Sequence, residues 1–311
     1  MLPPLFNPSN DMALAANVRQ YFPPRHIQQM EEDLASVARL WDEGPWGWSL
    51  VTRQHYLRMG IDASELPSDE WLGEHRRLSS REFCVGYYRR LSQSFKDEGE
   101  GRLVSCQASF CTSLNEVSHS IIQHPASIIK APWSSSGRGN VVVNGEIDSQ
   151  KRRIERIIRE QGGIAVEPFY ENKTLDFAME FNVADDETRF LGYSVFSADE
   201  TGHYGGNYVK SQEQLLQLIN VSEELLGRLI AYHKQALGKV RYRGPVGIDM
   251  MRLADGRVHP CVEINFRMTM GLLAIILYNK GMRDDQLLAG NAEGFSATIR
   301  GGRLNIVYRQ P

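Results

Sequence analysis

Several classes of protein are excluded by what this sequence has little of. Its 311 residues include four cysteines, which form no Cys-x-x-Cys pair and have no histidines nearby at zinc-binding spacing. The longest apolar run, Leu272 to Leu277, has six residues and cannot span a bilayer. The 35 basic and 38 acidic side chains give a net charge of −3, which provides no attraction to nucleic acid or to an anionic membrane.

What is present is the composition of an ordinary soluble globular protein, with 42% apolar and 23% charged residues. A chain of this length suffices for two domains. The first residues lack the basic start and long apolar core of a signal peptide, so we expect a cytoplasmic protein with reduced thiols. We expect small-molecule partners and neither nucleic acid nor membrane; the oligomeric state is left open, with a homodimer as one option.

The first 78 residues are predicted to form a small α/β unit. Five of the 13 prolines fall within the first 24 residues, which indicates an extended, turn-rich start. Pro24 can begin a helix, and a short strand is expected at Ser49 to Val51, after the loop at 44–48. The tryptophans of that loop are interpreted as packing residues rather than as a surface that stacks a ligand.

The central part of the chain alternates between helical and strand patterns. Two helices are predicted at 80–94 and 149–161, and three strands at 164–169, 175–183 and 189–198. The second helix ends at Gly162, and its basic residues are interpreted as a solvated face: Lys151, Arg152, Arg153, Arg156 and Arg159. A capping box formed by Ser211 and Gln214 begins a later helical region, broken or bent near Val221 and Ser222, in which His233 lies on the apolar face.

The stretch from Ile128 to Val143 predicts a strand, a loop of small residues and a second strand, with Lys130 at the last position of the first strand. A serine- and glycine-rich loop lets backbone N–H groups approach a polyphosphate, and the lysine adds a positive charge beside it. This pattern is common by itself. The other frequent phosphate-binding loop, Gly-x-x-x-x-Gly-Lys-Ser/Thr, does not occur in the sequence.

Asp249, Glu263 and Asn265 have the form of a magnesium site. They lie on two predicted strands, and a loop centred on Gly256 would place Asp249 opposite Glu263, with Cβ atoms roughly 4.5–5.5 Å apart. The period of two places Asn265 on the same face as Glu263. Two carboxylates in an apolar hairpin repel each other unless a cation, a proton or a basic side chain lies between them. Oxygen ligands suit Mg²⁺ or Mn²⁺, and a surface acidic pair is the alternative interpretation.

Two further segments have polar or backbone groups that could bind a nucleoside. In the segment 174–183 the residues alternate strictly, so that Asp176 and Glu180 share the polar face. This face is either the wet side of a half-buried strand or the lining of a cleft in which Asp176 accepts hydrogen bonds from ribose. Before it, Glu167 to Tyr170 ends a strand without regular pairing, because Pro168 has no N–H, and free backbone groups beside aromatic rings would suit adenine.

Together, residues from about 79 to 300 resemble the ATP-grasp fold, the fold of carboxylate–amine ligases and biotin carboxylase. The resemblance implies an α/β (α+β) architecture in which two lobes sandwich ATP. It implies an ATP-grasp domain at 79–311 with a lid subdomain at about 115–165, preceded by the small α/β domain at 1–78. The ATP-binding residues that it implies are Arg81, Lys130, Ser134, Ser135, Ser136, Gly137, Arg138, Gly139, Glu167, Pro168, Phe169, Tyr170 and Asp176.

The resemblance also assigns roles to the remaining candidate residues. Asp249, Glu263 and Asn265 match the metal ligands, and Arg267 matches an arginine that faces the reacting carboxyl group, so that Arg267 and Lys130 are the implied catalytic residues. The connection from Asp199 to Tyr208 passes near the γ-phosphate in the resembling fold, and we expect His203 or Tyr204 to border the acceptor pocket. The sequence departs from the family pattern in two ways: Arg81 stands where a lysine is usual, and serines replace much of the glycine run.

The implied activity is that of an ATP- and Mg²⁺- (or Mn²⁺-) dependent ligase, which activates a carboxylate as an acyl phosphate for attack by an amine or a similar nucleophile. One alternative is an ATP-grasp kinase, whose product would be a stable phosphoester instead of free phosphate. Another is a nucleotide-binding protein without catalysis, which the Arg81 replacement allows. The complete set of metal-ligand residues favours an enzyme, and the sequence specifies neither the carboxylate nor the amine.

Overall fold

The computed structural model describes residues 1–97, 101–134, 140–198, 204–284, 286–291 and 293–308. Its helices are α1 (Asn10–Ala16), α2 (Arg25–Asp33), α3 (Leu50–Arg58), α4 (Asp69–Leu78), α5 (Arg81–Asp97), α6 (Leu114–Gln123), α7 (Lys151–Gln161), α8 (Gln212–Ile219), α9 (Glu223–Leu237) and α10 (Met270–Asn279). Its strands are β1 (Ser109–Cys111), β2 (Ala126–Lys130), β3 (Val141–Asn144), β4 (Ile164–Pro168), β5 (Lys173–Val183), β6 (Thr188–Ala198), β7 (Tyr204–Tyr208), β8 (Gly244–Leu253), β9 (Val258–Asn265), β10 (Gln286–Gly290), β11 (Phe295–Arg300) and β12 (Arg303–Tyr308).

Residues 1–78, all of them described, contain the helices α1 to α4 and no strand. The strand predicted at Ser49 to Val51 is therefore wrong, and so is the strand content of the expected N-terminal α/β unit. Ser49 is the N-cap of α3, and its hydroxyl accepts a hydrogen bond from the N–H of Thr52 at 3.2 Å. This cap stabilises a helix at a point where a three-residue apolar pattern is too short to specify a strand.

The N-terminal helices share a core with the C-terminal part of the chain. Phe6, Leu34 and Trp46 pack in one apolar cluster with Leu272 and Leu277 of α10. The rings of Phe6 and Trp46 meet edge to face, with centroids 5.3 Å apart. The N-terminal segment is thus a wall of the larger body of the protein.

The described strands form two antiparallel sheets. The smaller has the order β1-β4-β2-β3 and is covered by α6 and α7, with its own apolar core around Ile129 and Ile154. It spans Ser109–Pro168, and the predicted lid subdomain falls within these bounds. The larger sheet has the order β10-β11-β12-β7-β6-β5-β8-β9.

The larger sheet carries helices on both faces. On one face Phe177, Met179 and Phe181 of β5 are fully buried and pack in one cluster with Leu229 of α9 and Leu91 of α5. The alternation predicted for this strand is confirmed, as are the capping box of Ser211 and Gln214 that begins α8 and the break before α9. On the other face the N-terminus of α10 reaches β5 and β6.

The β8–β9 hairpin places Asp249 directly opposite Glu263, as predicted, but by a different route. Near the turn Met251 pairs with His259, so the loop is centred on Asp255 and not on Gly256. Between the Met251–His259 pair and the Asp249–Glu263 pair, a bulge adds residues to β9. This bulge restores the predicted register at Asp249. Pro260 lies within this bulge and has no N–H to donate to a regular ladder, which explains the irregularity.

The cysteines add no disulfide cross-link to the chain. All four cysteines are free thiols, and the sulfur atoms of Cys84 and Cys261 lie 3.7 Å apart in the core between α5 and β9. Of the helices that the structure describes, none combines the length and the hydropathy needed to cross a membrane.

Candidate functional site

A cavity of about 1530 Å³ lies between the two sheets and the N-terminal helices. Its lining comes from the ends of β2 and β4, from the polar face of β5, from β8 and β9, and from α1, α2 and the start of α10. Most of the site residues predicted from the sequence that the structure describes border this cavity, although they come from segments more than a hundred residues apart in the chain.

Lys130 is the last residue of β2, as predicted, and its side chain borders the cavity. Its ammonium group forms a buried ion pair with Glu167 of β4, with Nζ and Oε2 at 2.6 Å. The ammonium has three N–H donors, so the bond to Glu167 does not exhaust its capacity to bind an anion.

The loop that follows Lys130 is described only at its two ends. Ser135, Ser136, Gly137, Arg138 and Gly139, predicted to bind ATP, lie outside the described residues. The flanking Ser134 and Asn140 both border the cavity, and their side-chain oxygens are buried without a hydrogen-bond partner among the residues that the structure describes. Buried polar atoms without partners are uncommon in folded proteins, and these two would gain partners from a polar ligand.

The segment predicted to bind adenine borders the cavity through Pro168, Phe169 and Tyr170. Its backbone is less free than predicted, because Pro168 keeps its place opposite Ser127 of β2. The N–H of Phe169 donates to the carbonyl of Ala126 at 2.9 Å. The expectation of an unpaired strand end is therefore wrong for this N–H.

Asp176, predicted to contact ribose, borders the cavity on the polar face of β5. Its carboxylate accepts a hydrogen bond from the ammonium of Lys173 at 2.7 Å. Burial raises the pKa of Asp176 above its ordinary value, although Lys173 acts in the opposite direction. The polar face of this strand therefore lines a cleft, which was one of the two interpretations of its pattern.

The three predicted metal-ligand residues converge at the β8–β9 hairpin. Asp249 and Glu263 are cross-strand neighbours, and the amide of Asn265 donates to Asp249 with Nδ2 and Oδ2 at 3.1 Å. Burial raises the pKa of Asp249 well above its ordinary value, and the neighbouring Glu263 and Glu180 raise it further. A cation between these oxygens would relieve that repulsion.

The three predicted metal-ligand residues form a donor set that fits a hard cation. In the described part of the chain, no three residues of the types His, Cys, Asp and Glu are grouped so that they could hold a metal. The predicted trio has two carboxylates and one amide, and all three supply oxygen, which Mg²⁺ prefers.

Arg81, predicted to bind phosphate, is buried and forms an ion pair with the half-buried metal-ligand candidate Glu263, with Nη2 and Oε2 at 2.7 Å. A second nitrogen of its guanidinium donates to the carbonyl of Val262 at 3.2 Å. Arg81 also borders the cavity, and it partly neutralises the carboxylate pair in the absence of a metal.

Arg267 borders the cavity beyond Asn265 and is held by a residue that sequence reasoning missed. Two nitrogens of its guanidinium donate to the carboxylate of Asp11 in α1, at 2.9–3.1 Å. Of the two candidates for the acceptor pocket, His203 lies outside the described residues, whereas Tyr204 borders the same cavity as Arg267. The substrate role of Tyr204 stays a prediction.

Two buried polar residues of the cavity were also missed. Glu180 of β5 is 1% exposed, and burial raises its pKa to about 7. Asn207 of β7 accepts a hydrogen bond from the hydroxyl of Tyr204 at 2.6 Å, while its Nδ2 is buried and has no partner within the described part of the chain. The alternating pattern had placed Glu180 on the polar face, but neither its burial nor that of Asn207 could be derived from local sequence.

No protein-family model matches the sequence, and no curated protein matches it significantly. Solved structures do match the fold. A biotin carboxylase from Campylobacter jejuni is 13% identical, with a TM-score of 0.50, over 78% of this chain and 55% of that chain. An N5-carboxyaminoimidazole ribonucleotide synthetase is 16% identical over 86% of this chain and 71% of that chain, with a TM-score of 0.45.

The biotin carboxylase domain of a Hydrogenobacter thermophilus 2-oxoglutarate carboxylase is 15% identical, with a TM-score of 0.44, over 65% of this chain and 47% of that domain. The chain thus spans about half the length of the two biotin carboxylases, at 55% and 47%. The likeness to the Campylobacter jejuni biotin carboxylase and the two antiparallel sheets identify the fold: the chain has the ATP-grasp fold that its sequence predicts.

Proposed function

We propose that this protein is an ATP- and Mg²⁺-dependent ligase that joins a carboxylate to an amine through an acyl phosphate. The observation that carries the proposal is the convergence on one cavity of Lys130, the hinge after β4, Asp176 and the Asp249–Glu263 pair. The Campylobacter jejuni biotin carboxylase with the same fold was solved as a complex with an ATP analogue. Its likeness supports a nucleotide at this cavity and leaves the substrates open.

ATP would lie between the two sheets, with the adenine at Pro168 to Tyr170 and the ribose at Asp176. Lys130 and Arg81 would hold the phosphates, together with the loop that begins at Ser134. Because Lys130 and Arg81 already face Glu167 and Glu263, they are fixed in place before the ligand arrives. Such preorganised charges stabilise a transition state without a further reorganisation cost.

Asp249, Glu263 and Asn265 would hold Mg²⁺, which when bound neutralises the negative charge that develops on the phosphates. The buried position of Asp249 and its raised pKa agree with a site that is completed by a cation.

The first step would be attack of a carboxylate oxygen on the γ-phosphorus of ATP, with cleavage of the bond to ADP. In the second step the amine nitrogen attacks the acyl carbon, phosphate leaves and the nitrogen loses a proton. Arg267, fixed by Asp11, would orient the carboxyl oxygen during both steps. The chemistry needs positioning and charge stabilisation and no covalent nucleophile from the protein.

The test is a screen of carboxylic acid and amine mixtures for phosphate release that depends on ATP and Mg²⁺. We expect release with a matching pair. Glu263→Gln should lower the rate at least a hundredfold when it is assayed well below its Tm, which should itself fall because Arg81 loses its partner. Glu213→Gln, at an exposed position in the first turn of α8, is the matched control and should retain the full rate.

Two results would contradict the proposal. A stable phosphoester formed without free phosphate would identify a kinase. Binding of Mg–ADP without turnover of any mixture, together with equal affinity in Glu263→Gln, would identify a nucleotide-binding protein without catalysis.

A further inference from the structure

The cavity extends beyond the metal-ligand residues into a region with apolar walls. This apolar compartment is lined by six residues that belong to one packed cluster: Phe6, Met30, Trp46, Met270, Phe295 and Ile306. Phe6 and Trp46 belong to the buried part of this cluster, and the other four side chains, from α2, the start of α10, β11 and β12, pack against it.

The volume of the cavity is sufficient for a second ligand beside a nucleotide. It measures about 1530 Å³, whereas a site for one small molecule is typically about 300–1,000 Å³. The nucleotide residues occupy the end formed by β2, β4 and β5, which leaves the apolar compartment to another molecule.

Glu180 is the buried carboxylate on the side of the cavity next to α10. Its two oxygens accept hydrogen bonds from the hydroxyls of Ser194 at 3.0 Å and of Thr269 at 2.8 Å. The start of α10 approaches so closely that a Cβ on Gly271 would lie 2.2 Å from Oε1 of Glu180, so only glycine leaves room for this carboxylate. The surrounding structure therefore fixes Glu180 in one position.

Glu180, like Asp249, differs in its partners from three other carboxylates that line the cavity. Glu167, Asp176 and Glu263 each have a lysine or arginine nitrogen within 2.7 Å. Among the described residues no such nitrogen lies within 4.0 Å of Glu180, because Arg267, which acts on it from farther away, is bonded to Asp11. A buried carboxylate without a cation is costly, and a cationic ligand group would compensate for it.

We propose that the apolar compartment binds the amine substrate as a primary ammonium ion with an apolar body, and that Glu180 binds its ammonium group. This inference rests on the proposed ligase activity, since it names the class of the amine. A carboxylate has about four acceptor positions, and the two hydroxyls occupy two of them, which leaves positions for the ammonium. The apolar body would lie against the six wall residues.

The register of the sheet places this ammonium site next to the reacting centre. Glu180 pairs with Gly247 of β8, and Gly247 pairs with Asn265 of β9. The backbones of Glu180 and Asn265 are thus two strand spacings apart, about 10 Å. An ammonium held by Glu180 would therefore lie beside the point where the acyl phosphate is expected. One of its protons would pass to the Glu180 carboxylate, and the neutral nitrogen would then have the lone pair with which it attacks the acyl carbon.

The test compares phenethylamine with two analogues. The first, 2-phenylethanol, has a hydroxyl in place of the ammonium group, and the second, ethylamine, lacks the apolar body. Calorimetric titrations are made on the full chain in the presence of Mg–ADP. We expect phenethylamine to bind at least tenfold more tightly than either of the other two. In Glu180→Gln the preference for phenethylamine over 2-phenylethanol should fall at least tenfold.

A second variant tests the wall independently of Glu180. Met30→Gln should weaken both phenyl compounds several-fold, whereas Met59→Gln, at a position that is 52% exposed in α3's C-cap, should leave them unchanged. Equal binding of phenethylamine by Glu180→Gln and the native chain would overturn the inference.

The titrations separate this inference from the proposed function. If Mg–ADP binds and phenethylamine does not, the inference is overturned while the ligase proposal stands. If phenethylamine binds through Glu180 and Mg–ADP does not bind, the ammonium site stands and the ligase proposal falls.

Discussion

The carboxylates at the two ends of the cavity differ in whether a basic side chain compensates for their charge. At the nucleotide end the carboxylates of Glu167, Asp176 and Glu263 each face a basic side chain. At the end next to α10, Glu180 accepts hydrogen bonds from two hydroxyls, and among the described residues neither it nor the neighbouring Asp249 has a lysine or arginine nitrogen within 4.0 Å. At the nucleotide end the basic side chains can exchange their carboxylate partners for a polyanion. At the other end Glu180 lacks a cation. Removal of a charge should therefore destabilise the protein at one end and stabilise it at the other.

The largest effect is expected at the nucleotide end. Lys130→Met leaves Glu167 buried without a partner and should lower the free energy of unfolding by about 3–5 kcal/mol. Urea denaturation measures the difference.

Two further variants control this experiment. The double variant Lys130→Met/Glu167→Gln should recover most of the loss, because neither charge remains. The exposed pair of Lys234 and Glu187, at 3.5 Å, provides the matched case, and Lys234→Met should cost less than about 1 kcal/mol. A fully stable Lys130→Met variant would refute the pairing at this end.

At the other end Glu180→Gln should stabilise the protein above neutral pH. The pKa of Glu180 is raised by burial from 4.5 to about 7. Below pH 4.5 both folded and unfolded chains are protonated at this group, and the favourable contribution is complete; it is lost as the pH rises through 7. The variant should therefore exceed the native chain by roughly 3 kcal/mol at pH 8 and by less than about 1 kcal/mol at pH 5.

The control for this prediction is Glu213→Gln, whose exposed carboxylate should give the same difference at both pH values. Chemical denaturation at pH 5 and pH 8 suffices. A Glu180→Gln variant that is less stable than the native chain at pH 8 would mean that the carboxylate has a cation partner in solution.

A smaller effect is expected where the N-terminal helix meets the site. Asp11→Asn replaces the carboxylate that binds Arg267 at 2.9 Å. It should cost about 1–2 kcal/mol of stability. If Arg267 orients the reacting carboxyl group, kcat should fall about tenfold at saturating ATP. Asp185→Asn, which breaks the exposed pair with Arg243, should change neither quantity, and an unchanged kcat in Asp11→Asn would argue against a positioning role.

The smallest effect is expected away from the cavity. Ser211→Ala removes one half of the capping box of α8, at a cost of about 1 kcal/mol. Because α8 packs through Leu215 and Ile219 on the core side of the large sheet, the affinity for Mg–ADP should stay the same. A loss of affinity would show that the cavity is sensitive to general destabilisation, and the comparison between its two ends would have to be corrected for it.

Local patterns predicted the parts of the site that depend on short-range geometry. The strand period placed Lys130 at the end of β2 and brought Asp249 opposite Glu263. The register of the β8–β9 hairpin depends on a bulge at Pro260. A loop centred on Gly256, as the sequence predicts, contains no such bulge. The pairing was correct because the bulge compensates for a different loop centre.

The parts that depend on long-range packing could not be predicted. Glu180 lay on the predicted polar face, but its burial comes from Thr269 and Gly271, about ninety residues away in the chain. Asp11 and Arg267 are separated by 256 positions, and no local pattern joins them. The sequence around Ser49 is compatible with either a strand or the cap of a helix. In the structure Ser49 caps α3, and α3 packs beside α1, a contact that the local sequence does not reveal.

The central claim is that the cavity binds a nucleotide with its metal at Asp249, Glu263 and Asn265. The most direct measurement is the anomalous scattering of Mn²⁺ in a crystal of the protein grown with Mn²⁺ and ADP. The account predicts a peak about 2.0–2.6 Å from oxygens of these three residues, with the ADP phosphates beside it. An ordered ADP whose Mn²⁺ lies elsewhere, or an ADP bound outside the cavity, would contradict it.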